Sequence, residues 1–293
     1  MKKMLFILNP NAGQRRANRY LADILAIFNR ADYDVSVFVT SGQGQAREIA
    51  KTRAGEVDLV VCCGGDGTYN ETMTGLLQSG AEIPIGYIPA GSTNDFASSL
   101  GLPADPLAAA KMIAGGRVRR YDVGSFGGRH FAYVASFGAF TRTSYATPQS
   151  IKNSLGHMAY LLEGIQELSQ IKTHHLRIEM GSEVIEDDFL FGAICNSTSL
   201  GGILKLDPGV VDMQDGKFEL LLVRAPKDIM ELTACLQAVQ TKKYNCKMMT
   251  FLNAGDLCVY APDDMPWSID GEKEEGRAVI EVKNLQQAIG ILC

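Results

Sequence analysis

Val57-Asp58-Leu59-Val60-Val61-Cys62-Cys63-Gly64-Gly65-Asp66-Gly67-Thr68 decides how this chain folds. The run to Cys63 does not alternate between apolar and polar residues, and it stops on glycine. That pattern predicts a strand buried on both faces, as in the middle of a parallel sheet. Downstream, helical spacing over Thr68–Gln78 is followed by a second strand-like run, Ile83–Ile88. Upstream come a short apolar run at Met4–Leu8, helical spacing from Gln14 to Asn29 (Leu21, Ile24, Leu25, Phe28), alternating Val35, Val37 and Val39, and a further helix over 45–54. Strands alternating with helices at this spacing predict a parallel sheet covered on both faces. Ligands of such sheets sit outside the carboxyl ends of the strands.

Beyond Tyr121 the texture changes. Short runs at 130–137, 174–180, 188–195, 217–223, 256–261 and 277–283 are separated by Gly, Asp, Asn and Pro. They predict antiparallel β structure, interrupted by helices near 155–170 and 227–240. The domain boundary falls near 122–128. The last apolar run, Ala288–Leu292, is suited to return and pack on the first domain.

The chain has 293 residues, 46% hydrophobic and 21% charged, which excludes disorder, collagen-like repeats and coiled coil as its main content. Its net charge of −5 argues against a protein that coats nucleic acid. The sign is uneven. Residues 1–125 hold 13 basic and 12 acidic side chains against 15 and 21 in the remainder, so the first part is the better home for an anion. Seven cysteines include no CxxC pair, and Cys62, Cys63, Cys195 and Cys258 lie in apolar runs, as reduced buried thiols do. The amino-terminal apolar run stops at Asn9-Pro10, short of the roughly 7–15 residues of a signal peptide core. No run approaches about 18 apolar residues, so no membrane span is expected and the compartment is read as cytoplasmic.

Three polar turns close three strands of the first domain. Gly64-Gly65-Asp66-Gly67-Thr68 lets the backbone approach a phosphate, and the amides opening the next helix face it. Asp66 would repel bare phosphate but fits with Mg²⁺ between them; the other reading is a glycine turn whose Asp caps a helix. Asn9-Pro10-Asn11-Ala12-Gly13 is either a phosphate contact or a common turn. Pro89-Ala90-Gly91-Ser92-Thr93-Asn94-Asp95-Phe96 offers the hydroxyls of Ser92 and Thr93. Three such turns on one sheet edge favour a shared nucleotide site. GxxxxGK[ST] is absent, and so is a complete GxGxxG after a strand.

Together with Asp270-Gly271-Glu272, these turns resemble the diacylglycerol-kinase catalytic domain, as found in soluble bacterial lipid kinases and in sphingosine and ceramide kinases. Order and separations fit the bacterial members over essentially the whole chain. GGDGT alone also occurs in NAD kinases; the set of four is far more specific. The resemblance implies an α/β plus β-rich fold: a doubly wound nucleotide-binding domain over 1–124, with 286–293 packing back on it, and an antiparallel β-sandwich over 125–285.

It further implies an ATP- and Mg²⁺-dependent lipid kinase. Asn9, Pro10, Asn11, Ala12, Gly13, Thr40 and Gly64, Gly65, Asp66, Gly67, Thr68, Tyr69 and Asn70 match the family's ATP-contacting segments, as do Ser92 and Thr93. Ser92 stands where many members have Thr, which keeps the hydroxyl. Glu272 matches the family's general base, beside Asp66 as the second catalytic residue. Asp212, Asp215 and the backbone carbonyl of Lys217 match a structural Mg²⁺ site, although the same residues also read as a solvated turn.

Phosphoryl transfer needs in-line positioning and charge neutralisation, and a carboxylate to take the acceptor's proton. Diacylglycerol, presented at a membrane surface to a peripherally bound enzyme, is the leading acceptor. Sphingoid bases, phosphatidylglycerol, polyprenols and NAD remain alternatives, as does a nucleotide-binding regulator without turnover. No nucleic-acid partner is expected, and a homodimer is left open. Arg117, Arg119 and Arg120 read either as a solvated face or as a contact for anionic headgroups. Trp267 reads as core or as the wall of a lipid cleft.

Overall fold

The computed structural model describes residues 1–138, 172–200, 204–241, 243–244 and 246–293; the helix expected at 155–170 lies outside them. Two units emerge, one of Met1–Asp122 with Gln287–Cys293 and one of Val123–Gln286. The carboxylate of Asp122 accepts the amide of Gln287 at 2.7 Å, so the two chain segments of the first unit are tied where each enters or leaves it.

In the first unit the elements run β1 (Lys2–Leu8), α1 (Arg16–Arg30), β2 (Tyr33–Val39), α2 (Gln45–Arg53), β3 (Leu59–Gly64), α3 (Asp66–Ser79), β4 (Ile85–Pro89), α4 (Asp95–Ser99) and α5 (Pro106–Gly115). The strands are parallel in the order β2-β1-β3-β4. Leu8 lies opposite Val39 and Cys63, and Gly64 lies opposite Pro89, so the loops after β1, β2, β3 and β4 all leave from one edge. From β1 the order steps one way to β2 and the other way to β3, which makes the gap between β1 and β3 a topological switch point.

β3 is buried at every position, as its unbroken apolar run requires. Phe6, Val61 and Ile88 pack against Ile24 and Phe28 of α1 and Ala109 and Ile113 of α5. Burial pushes the Cys63 thiol up to about 12 and the Cys62 thiol higher still, which leaves both unreactive. α5 opens on Asp105, whose carboxylate accepts the Ala108 amide at 2.8 Å, with Pro106 in the first turn. Ile291 pairs in parallel with Ile85, and Arg117 and Cys293 exchange backbone bonds of 3.1 Å, so the returning segment continues this sheet.

β5 (Val118–Phe126) leads into the second unit, which holds β6 (Arg129–Phe131), β7 (Val134–Gly138), β8 (His174–Met180), β9 (Glu183–Cys195), β10 (Ser199–Leu200), β11 (Leu204–Lys205), β12 (Phe218–Arg224), α6 (Ile229–Gln240), β13 (Met249–Ala254), β14 (Leu257–Tyr260), β15 (Trp267–Ile269), β16 (Glu272–Glu274) and the first half of β17 (Val279–Leu292). Its pairings are antiparallel. β9 pairs with β8 along its first half and with β7 and β12 along its second. Trp267 is buried with its ring 4.7 Å from Phe126 and 4.9 Å from Phe137, so it fills the core. Among the described residues no helix is long and apolar enough to cross a membrane, and every cysteine is a free thiol.

Candidate active site

The loops after β1, β3 and β4 touch one another. Asn9 donates its amide to Cys63 O at 2.9 Å, and its side chain donates to Thr68 Oγ1 at 2.9 Å. Its Oδ1 accepts the Asn11 amide at 3.0 Å, which folds Asn9–Gly13 into a turn across the switch point. Gly13 has φ +48°, and a Cβ there would meet Ala90 O at 2.0 Å. Only glycine admits both that conformation and that approach. A Cβ on Gly91 would meet the Gly65 backbone at 2.6 Å, so the loops after β3 and β4 pack backbone to backbone. Asn94 closes its own loop, accepting the Gly91 amide at 2.8 Å and donating to Gly91 O at 3.0 Å. Thr40 joins the same edge, its amide donating to Leu8 O at 2.9 Å.

α3 starts at this junction with Gly65 as its N-cap and no side-chain cap. Amides of a helix's first turn have no carbonyl partner within the helix, and the macrodipole adds positive potential, so this end suits an anion. Ser92 and Thr93 are exposed on the neighbouring loop. Asn70 is half-buried one turn along α3, and Glu71 beside it holds the start of α2 by accepting the amides of Gly44 at 2.7 Å and Ala46 at 3.2 Å. Tyr69 differs from the other expected ATP contacts. Its ring is buried 4.8 Å from Tyr87 and 4.9 Å from Phe96, beneath the loops.

Asp66 sits at the centre. Its Oδ2 accepts the Asp95 amide at 3.0 Å, and its Oδ1 accepts the Phe96 amide at 3.3 Å and the Tyr87 hydroxyl at 3.4 Å. The carboxylate therefore binds the start of α4 and fixes the loop carrying Ser92 and Thr93 against the one carrying Gly64–Thr68. Asp66 does not cap its own helix, which has Gly65 as its N-cap; it binds the start of the next one.

In the second unit Asp270 and Gly271 form the two-residue turn between β15 and β16, with φ of +48° and +82° as a type I′ turn needs. Asp270 is buried, and its carboxylate accepts the amides of Ala132 at 2.6 Å and of Tyr133 and Val134 at 3.0 Å each. That clamp sets the position of Glu272, the first residue of β16. Glu272 is half-exposed, and its Oε2 meets Arg129 Nη2 at 2.6 Å, while Arg129 Nη1 reaches Glu274 at 2.7 Å. Burial works against the Arg129 guanidinium, yet its bonds to Glu274 and Glu272 hold it above its ordinary value, so it stays charged. Arg129 has no signal in the sequence, since it comes from a separate hairpin. Asp270→Asn keeps a residue tolerant of positive φ but sets an amide against backbone donors. It is expected to destabilise the fold by about 2–3 kcal/mol, read by denaturant unfolding.

Asp212 and Asp215 lie exposed on the turn before β12, each accepting the amide two residues on, Gln214 at 3.0 Å and Lys217 at 2.9 Å. Beneath them Glu219 is fully buried, with neither carboxylate oxygen hydrogen-bonded. Burial pushes its carboxyl up to about 8, the charges of Asp215 and Asp212 add to that, and the backbone amides of Glu219 and Asp212 pull the other way. Among the described residues, no three His, Cys, Asp or Glu side chains converge at metal-ligating distance. The oxygen-only donors at this turn, two carboxylates and a carbonyl above an orphaned carboxylate, fit a hard cation that keeps much of its water, as magnesium does.

Residues 3–126 match the diacylglycerol kinase catalytic domain family, and residues 134–293 match the family described as the YegS C-terminal NAD kinase beta sandwich-like domain. The diacylglycerol kinase of Bacillus subtilis (strain 168) is 31% identical over 274 residues, covering 93% of this chain and 90% of that protein. That of Staphylococcus haemolyticus (strain JCSC1435) is 34% identical over 272 residues, covering 91% and 81%. A crystal structure of a diacylglycerol kinase from Bacillus anthracis str. Sterne shares the fold with a TM-score of 0.76 at 24% identity, covering 99% and 96%.

Proposed function

This chain belongs to the bacterial diacylglycerol kinase family, a two-domain lipid kinase family that takes its phosphoryl group from ATP, and we propose that it phosphorylates the free hydroxyl of diacylglycerol to give phosphatidic acid. The observation that carries this reading is the junction of three loops at the switch point, where Asn9 bonds Thr68 and the Gly65 and Gly91 backbones meet. Contacts of this kind leave a backbone-lined surface at a helix start, with little side-chain bulk between it and a nucleotide phosphate.

In this reading Asn9–Gly13, Thr40, Gly64–Asn70, Ser92 and Thr93 bind ATP, chiefly through backbone amides and short polar side chains. Tyr69 contributes by supporting the loops from below. Asp66 holds the loops in register. Glu272 takes the proton from the attacking hydroxyl oxygen, and Arg129 holds its carboxylate in place until the acceptor arrives. Asp212, Asp215 and the Lys217 carbonyl hold a structural magnesium ion. Magnesium bound with ATP neutralises charge on the phosphate oxygens. The lipid is met at a membrane surface. Arg117, Arg119 and Arg120 support this, being exposed in a stretch with no acid between Asp105 and Asp122.

Purified protein with labelled ATP, Mg²⁺ and mixed micelles of diacylglycerol is expected to place label in phosphatidic acid. Transfer to a sphingoid base, a polyprenol, phosphatidylglycerol or NAD instead, with none to diacylglycerol, would overturn the acceptor. ATP binding without transfer to any alcohol would overturn the catalytic reading.

A further inference from the structure

We infer that Glu274 and Arg277 are positioning residues for Glu272: they fix Arg129 without help from Glu272, so the carboxylate is aimed by a partner that stays put when the acceptor hydroxyl arrives. This rests on the reading of Glu272 as the proton acceptor above. Glu272 and Glu274 open and close β16, two residues apart, so their side chains share one face of the strand. Among the described residues β16 pairs only with β15, at the end of its sheet, so no further strand steadies it. Two carboxylates side by side repel each other. The fork of Arg129 answers both, with Nη2 at 2.6 Å from Glu272 and Nη1 at 2.7 Å from Glu274.

The two arms of that fork are not equivalent. Glu274 is 16% exposed against 41% for Glu272, and its other oxygen, Oε1, accepts from Arg277 Nη2 at 3.1 Å. Arg277 in turn donates from Nη1 to Gly127 O at 3.0 Å. Gly127 belongs to the turn between β5 and β6, two residues before Arg129, and its amide donates to Glu281 O at 2.8 Å. A Cβ on Gly127 would stand 2.7 Å from Arg277 Nη1 and displace the guanidinium. Contacts from Arg129 through Glu274 and Arg277 to Gly127 therefore close a ring on the backbone of 127–129. Glu272 hangs from that ring as a branch, and its bond to Arg129 can break without opening it. Half-exposed ion pairs add little to stability, so the loss of a positioning network should show in the rate rather than in the melting temperature.

Transfer kinetics of the full chain with ATP, Mg²⁺ and diacylglycerol micelles test this, with the melting temperature followed in parallel. Glu274→Gln keeps the side chain's volume and removes its charge. Arg277→Ala opens the ring at a half-exposed position and covers the case in which Glu274→Gln does not fold. Each is expected to lower kcat about 10-fold, short of the roughly 10²-fold that a 1 Å misplacement can cause, while the KM for ATP and the melting temperature stay near wild type. Arg277→Lys, which keeps the charge, should recover most of the rate. In a Glu272→Gln background the same substitutions should change kcat by less than about 2-fold, because a residue that acts through another has nothing left to aim. Wild-type kcat in Glu274→Gln and Arg277→Ala, beside a loss in Glu272→Gln, would overturn the inference and leave the base standing. So would a fall in melting temperature that accounts for the lost rate, or an undiminished effect in the Glu272→Gln background. Wild-type kcat in Glu272→Gln would overturn both.

Discussion

Glu272→Gln is expected to lower kcat for phosphoryl transfer by about 10²–10⁴-fold, the usual contribution of a positioned general base, while ATP affinity and melting temperature stay near wild type. The substitution preserves the side chain's volume and its place at the start of β16, which Asp270 fixes through three backbone amides. What it removes is the ability to take a proton. Arg129 would still find the carbonyl oxygen of the substituted side chain, so the bond at 2.6 Å is weakened rather than abolished, and Glu274 continues to hold the guanidinium at 2.7 Å. Transfer kinetics with saturating diacylglycerol micelles decide the matter. A variant with wild-type kcat would remove Glu272 from the chemistry. A fall in melting temperature matching the loss of rate would make its role structural.

Asp66→Ala should act on a different quantity. The carboxylate accepts the amides of Asp95 and Phe96, so its loss frees the start of α4 and the loop bearing Ser92 and Thr93. Two charge-assisted bonds to a partly buried carboxylate are removed together, which predicts a destabilisation of about 2–4 kcal/mol. Disorder in a phosphate-facing loop also raises the KM for ATP, and kcat/KM for ATP is expected to fall by about 10²-fold or more, since misplacement of about 1 Å can have that effect. Unfolding curves and ATP-dependent kinetics should move together. If kcat falls while ATP KM and stability are unchanged, the carboxylate acts on the phosphates or their magnesium rather than on the loops.

How much of this is legible in the sequence depends on the range of the interaction. β3 and the turn after it are plain, because a strand buried on both faces must be apolar throughout and must stop where the backbone is needed by a ligand. The edge order of β1, β3 and β4 follows from the alternation of strands and helices. β5 is harder. It begins with exposed Val118, Arg119 and Arg120, so no hydropathy period marks it. The polar first half of β9, Glu183–Asp188, is hidden for the same reason. At Asp270-Gly271 a hairpin turn can be read, but the amides that the carboxylate accepts belong to Ala132, Tyr133 and Val134, far back in the chain. The Arg129 partner of Glu272 is equally remote. Such long-range bonds leave no local pattern, and only the resemblance to a known family marks Glu272.

The pairing of Ile291 with Ile85 has a consequence for the order in which the molecule can assemble. Those residues stand about two hundred positions apart, so β4 acquires its second neighbour only after the whole β-rich unit has been synthesised. Until then the emerging amino-terminal half holds an apolar strand with one open edge, a template for misplaced pairing between nascent chains. High contact order of this kind also slows the final step of folding, since a long loop must close before the contact forms. Arg117, just before the charged start of β5, hydrogen-bonds the same returning segment at Cys293 and sits beside that late seam. The arginines there discourage a second chain from docking along the finished edge.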